Sequence, residues 1–228
     1  MINKTHVKIL VSLLFLLNFS NLFSEKIPEI IYRPQTKEEA FSYVMECLSI
    51  SLWFKENGYN IGFPKHKDFA QAYHENKVVN EKEKEHLKQI FYNKIYDVSV
   101  FDESLKKISQ TKTFINEILE KLVLLEKNWG FQLKPKYEVL LTLYGPGGSY
   151  YPEKNIGKII IHKNNMKRSI ATIIAHEIVH IGIEEDIVKQ YNLEHWEKER
   201  LVDLICSLYL KDFFPNYKIQ QQGEKTIN

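Results

Sequence analysis

Ser169 to Gly182 reads SIATIIAHEIVHIG, and the fold turns on how this stretch is read. Ile173, Ile174, Ile178, Val179 and Ile181 surround three polar residues, His176, Glu177 and His180. The run Ile170 to Ile181 therefore predicts a buried helix, with Ser169 at its start and Gly182 as a C-terminal stop. On a helix, residues four apart project from one face, so the two imidazoles can reach one zinc ion. Glu177, beside the first of them, can approach a zinc-activated water. It can take the proton from that water and pass it to a leaving amine. With 8 His and 23 Glu in 228 residues, chance produces this five-residue pattern about 3% of the time. Its apolar setting sharpens it, because buried histidines beside a buried carboxylate need partners and a metal supplies them. The competing reading is a core histidine pair satisfied by hydrogen bonds alone.

Outward from this helix the pattern changes character. Tyr137 to Tyr144 and Gly157 to His162 are rich in strand formers, and Gly145 to Gly148 (GPGG) reads as a turn or loop between them. A last helix is expected from about Leu193 to Phe213, stopping before Pro215. It offers His195, Glu199 and Asp203 at intervals of four, on one face, with Val202 and Cys206 near that face to turn it inward. Upstream of Gly130 the chain reads as helical. Ile27 to Gln35 is a Pro-containing lead-in. Thr36 then caps a helix that carries Glu38 and Glu39 in its first turn and runs to about Gly58. Lys67 to Glu75, Asn80 to Tyr96 and Glu103 to Trp129 follow as further helices. The expected class is α+β, with a helical region over residues 25–130 and a catalytic region over residues 131–228.

Composition excludes several functions. The chain is 44% hydrophobic and 26% charged, with a net charge of +2, which is ordinary for a globular protein. Its charges are interspersed, as in Asn80 to His86 (NEKEKEH), which describes a solvated helix face. There is no basic stripe with interleaved aromatics, so nucleic acid is not an expected partner. Lys4 and Lys8, the apolar core Ile9 to Leu17 and a small residue at Ser24 describe a secretory signal over residues 1–24. Export to the periplasm or medium follows, with an uncleaved N-terminal membrane anchor as the alternative. No other stretch is apolar and long enough to span a bilayer. Cys47 and Cys206 could pair in an oxidising compartment or stand as two buried thiols.

The motif resembles the zincin superfamily of metallopeptidases, and in particular the thermolysin-like gluzincins. The resemblance covers about residues 137 to 210. It implies a zincin-like domain with a small sheet, a motif helix and a glutamate helix. It also implies Zn2+ held by His176, His180 and Glu199, with Asp203 one turn later steadying His176 from outside. His195 is the alternative third ligand, giving a three-histidine site. The longer motif of the Met-turn zincins is absent after His180. In zincins an edge strand runs above the metal and pairs with substrate, a role that would fall to Gly157 to His162. Tyr144, Tyr150, Tyr151 and His162 flank that region as candidate oxyanion donors. The expected activity is hydrolysis of peptide or protein substrates. The rivals are a zinc hydrolase of non-peptide or cell-wall amides and a metal-binding protein without turnover.

Overall fold

The structure, a computed structural model, describes residues 27–76, 78–164 and 170–219. The expected signal segment, residues 1–24, lies outside these, as does Ser169. Among the described residues no helix is long and apolar enough to cross a membrane. The fold is α+β, with a four-stranded mixed sheet in the order β1-β2-β4-β3.

In chain order, strand β1 (Glu29–Pro34) leads into helices α1 (Lys37–Ser49), α2 (Ser51–Glu56), α3 (Lys67–His74) and α4 (Glu81–Ile90). Helices α5 (Asp102–Ser109) and α6 (Lys112–Trp129) follow. Then come strands β2 (Lys136–Thr142), β3 (Gly148–Pro152) and β4 (Ile156–His162), and finally α7 (Ile170–Ile183) and α8 (His195–Leu204). Thr36 starts α1 with a capping box: its hydroxyl accepts from the Glu39 backbone while the Glu39 carboxylate accepts from the Thr36 backbone. The long helix expected from Glu103 to Trp129 is broken, because the Thr111 hydroxyl donates to the Ile108 carbonyl and ends α5.

Side chains alternate across the sheet and build two cores. Val139, Leu141, Ile159 and Ile161 join Ile115, Ile118, Leu122, Ile174 and Ile178 on one face. Leu140 and Ile160 join Phe41, Val44, Phe69, Leu87 and Phe91 on the other. Helices therefore cover both faces, and α7 lies against β3 and β4. Cys47 belongs to the second core and Cys206 to the first, so the sheet separates them and both are free thiols.

Three further expectations are corrected. The strand expected at an edge, Gly157 to His162, lies inside the sheet, paired with β2 on one side and β3 on the other. Ile159, Ile160 and Ile161 are all buried, an unbroken apolar run that suits an internal strand covered on both faces. The edges are β1 and β3, and β3 is the one next to α7; it ends at Pro152, a residue that edges tolerate. Second, the region before residue 130 is not wholly helical. The Ile27 to Gln35 lead-in forms β1 and pairs in parallel with β2, so the sheet draws on both sides of that boundary. Third, Gly182 does not stop the motif helix. It lies inside α7, where the Phe131 ring occupies the space a β-carbon would need. The chain runs on from α7 into a π-helical stretch, Glu184–Lys189, and the Gln132 backbone donates to the Gly182 carbonyl at 2.8 Å.

Candidate metal centre

Helix α7 presents His176, Glu177 and His180 to α8, which brings Glu199 against both imidazoles. His176 Nε2 and His180 Nε2 stand 3.0 Å apart. Glu199 Oε2 is 3.4 Å from His176 Nε2, and Glu199 Oε1 is 3.3 Å from His180 Nε2. Among the described residues these three form the one group of ligand-type side chains converging within 4.8 Å. Sides of this length are what donors about 2.0–2.1 Å from a common zinc ion span, and two imidazole nitrogens with one carboxylate are a zinc donor set. The residues therefore fit the metal. His176 is 9% exposed, Glu177 and Glu199 7%, and Asp203 1%, so solvent reaches the front of the group and not the carboxylate behind it.

The electrostatics agree with that donor set. Burial works against charge on Glu199, but hydrogen bonds with His176 and His180 outweigh it and hold the carboxyl far below its usual range. Burial also opposes charge on His176, yet its contacts with Cys206 and Glu199 hold its pKa well above the usual value. Burial pushes His180 down to about 4. A divalent cation bound among these atoms would compete with protons for the same lone pairs. Burial pushes Glu177 up to about 7, against the pull of neighbouring His176.

Strand β3 crosses this helix. Its alternate residues divide: Gly148 and Tyr150 face α7, whereas Ser149 and Tyr151 reach Tyr43 and Glu46 on the far side. Gly148 lies against the Glu177 carboxylate, in space that any β-carbon would take. The Tyr150 ring stacks on His180, with centroids 4.7 Å apart and planes within 7°. Its hydroxyl donates to Glu184 and accepts from Lys198 Nζ, each at 2.9 Å. Lys198 is thereby held beside His180 and Glu177, on whose charges it acts.

Of the four aromatic candidates near the strands, only Tyr150 reaches the centre. Tyr144 packs on Phe91, Tyr151 donates to Glu46, and His162 Nε2 meets the Leu143 carbonyl. His195 does not join the metal group either. Its Nε2 lies 3.0 Å from the Tyr59 hydroxyl, and its ring packs edge-on to Trp53 and Trp196. Asp203 does not touch His176 at hydrogen-bond distance: Asp203 Oδ1 is 4.0 Å from His176 Nδ1. The Tyr217 hydroxyl fills the gap, 2.8 Å from each of those atoms.

Gly148, Tyr217 and Lys198 are site residues that the sequence reading missed. Gly148 belongs by sequence to a glycine-rich turn, and Tyr150 and Tyr151 are the one strand-favouring signal beside it. Tyr217 had none, since 41 residues separate it from His176. Neither a protein-family model, nor a curated protein, nor a solved structure matches this chain.

Proposed function

We propose that this chain is a zinc-dependent metallopeptidase of zincin-like type. His176, His180 and Glu199 hold the metal, and Glu177 acts as general base and then general acid. The observation that carries this reading is the convergence of two imidazole nitrogens and one carboxylate in a nearly buried group, with a second carboxylate one residue from the first ligand. A zinc ion bound there supplies Lewis acidity, lowering the pKa of a water molecule and polarising a carbonyl. Glu177 takes a proton from the attacking water and returns it to the leaving nitrogen. Gly148 leaves room for that carboxylate, and Lys198 adds positive charge on the rim.

Strand β3 supports a peptide as the substrate. It is the last strand of the sheet, and it passes over His180 and Glu177 with its outer side unpaired among the described residues. An extended peptide laid along that side would add a strand, with main-chain hydrogen bonds giving affinity and the α7 side giving specificity. The proposal includes export on the signal-like Met1 to Ser24 segment, with retention as an N-terminal anchor as the alternative.

Metal analysis of the purified chain, paired with a peptide-library digest, tests the reading. One zinc per chain and cleavage of peptides are expected. Glu177→Gln should keep the zinc and lose nearly all turnover, because the ligands survive and the proton acceptor does not. A chain that cleaves peptides fully after chelation would overturn the mechanism. Zinc without peptide cleavage would redirect the search to non-peptide amides.

A further inference from the structure

We infer that Tyr217, delivered by the chain segment after α8, is a positioning residue that sets the tautomer of His176 and so completes the metal centre. The inference rests on the metal reading above. The phenol has one hydrogen to give. Asp203, a carboxylate that only accepts, takes it at 2.8 Å. The Tyr217 oxygen then accepts from His176 Nδ1, also at 2.8 Å. A proton on Nδ1 leaves Nε2 unprotonated and able to ligate a metal, and Nε2 is the atom turned towards His180 and Glu199. Metal-binding histidines commonly have the outer ring nitrogen held in this way; here a tyrosine stands between the imidazole and the carboxylate. His180 is held differently. Its Nδ1 is buried without a hydrogen-bond partner, and the Tyr150 ring stacks upon it.

The path of the chain explains how Tyr217 arrives. Phe214 is buried, and Phe213 and Phe214 both pack edge-on to Phe114 of α6, at 5.7 and 5.8 Å between centroids. The Tyr217 backbone donates to the Phe214 carbonyl at 3.1 Å, closing a turn that points the phenol inward. The Cys206 thiol touches both Tyr217 and His176. The metal centre is therefore built from three pieces of chain, α7, α8 and the segment that follows α8.

Zinc affinity tests this directly, measured on the full chain by competition with a chromogenic chelator. Wild type, Tyr217→Phe, Asp203→Asn and the double variant are compared, with His180→Ala as the control for the metal site. Tyr217→Phe should weaken zinc binding by roughly 10- to 100-fold, the range for losing an outer partner of a ligand. The double variant should bind about as weakly as the weaker single one, because both act through one hydrogen-bonded chain. In the zinc-loaded wild type, proton NMR should show a His176 Nδ1–H signal protected from exchange, and Tyr217→Phe should lose that protection. Thermal unfolding of the metal-free forms separates these effects from loss of the fold. If the wild type binds zinc, His180→Ala does not, and Tyr217→Phe equals wild type in affinity and in the NMR signal, the tyrosine inference alone is wrong. If the wild type binds no zinc, the metal reading falls and this inference with it.

Discussion

Gly148 of β3 and Glu177 of α7 are in direct contact, the carboxylate lying where a β-carbon on the glycine would have to be. The relationship ties the proposed base to the edge strand and makes a glycine part of the site. Ile173 also borders that space.

Gly148→Ala should therefore displace Glu177 while leaving the proposed zinc ligands in place. A displacement of about 1 Å from the working geometry costs on the order of 100-fold in rate. We expect zinc content to stay at the wild-type level and kcat to fall by roughly 10- to 100-fold. An alanine variant with unchanged kcat would show that the contact has no bearing on the base.

The proposed metal centre needs a third ligand, and here Glu199 and His195 part. Glu199 reaches both imidazoles, whereas His195 is engaged by Tyr59. Glu199→Ala should lower zinc affinity by more than the roughly 10- to 100-fold typical of an outer partner. His195→Ala should leave the affinity near wild type. The reverse pattern, read in one chelator competition series, would mean that α8 turns a different side chain to the metal in solution.

Gly182→Ala should destabilise the fold, against the usual sign. In an ordinary helix interior alanine is better than glycine by roughly 0.5–1 kcal/mol. Here the new methyl meets the buried Phe131 ring, and overpacking of this kind costs about 1–3 kcal/mol. Urea unfolding of the metal-free protein gives the number. Phe131→Leu in the Gly182→Ala background should recover part of the loss, and a stabilised single variant would contradict the packing described.

Acid should weaken the join between β1 and α1. Arg33 donates to both Glu39 oxygens, at 2.6 and 2.8 Å, and to Glu138 at 2.9 Å. Its hydrogen bonds pull the Glu39 pKa from 4.5 down to about 2. A folded-state value below the unfolded one means that the stabilisation is complete above pH 4.5 and is lost as pH falls from there through 2. The pair is about one-third exposed, so solvent screening keeps the effect modest. Melting temperatures of wild type and Glu39→Gln, followed from pH 7 to 2, should converge over that window. A gap that stays constant down to pH 2 would assign the stabilisation elsewhere.

Much of the centre was legible in the chain because its logic is local. The spacing of His176 and His180 places two imidazoles on one helical face whatever surrounds the helix. The interval of four between Glu199 and Asp203, beside Val202 and Cys206, marked the inward face of α8 in the same way. The apolar run from Ile170 onward announced a buried helix, and Thr36 with Glu39 announced the start of α1. Each of these signals rests on neighbours within about one turn of chain, where geometry follows from the backbone alone.

What the chain could not disclose depends on which distant segments meet. Strand order is one such fact: β4 looked like a candidate edge until β3 folded back outside it, and pairing between strands is settled by the whole sheet. Gly182 carried a stop signal in isolation, but the Phe131 ring, 51 positions earlier in the chain, needs that glycine within the helix. Tyr217 stands 41 residues from His176 and 14 from Asp203, and no periodicity relates the three. By itself the sequence determined which side chains of α7 share a face and that the face is buried. Only the tertiary structure decided that Glu199 would close the group in front, Tyr217 would join Asp203 to it behind, and Gly148 would hold the space for Glu177. Those contacts exist because packing brings separate segments within a few ångströms, and local backbone geometry carries no information about that.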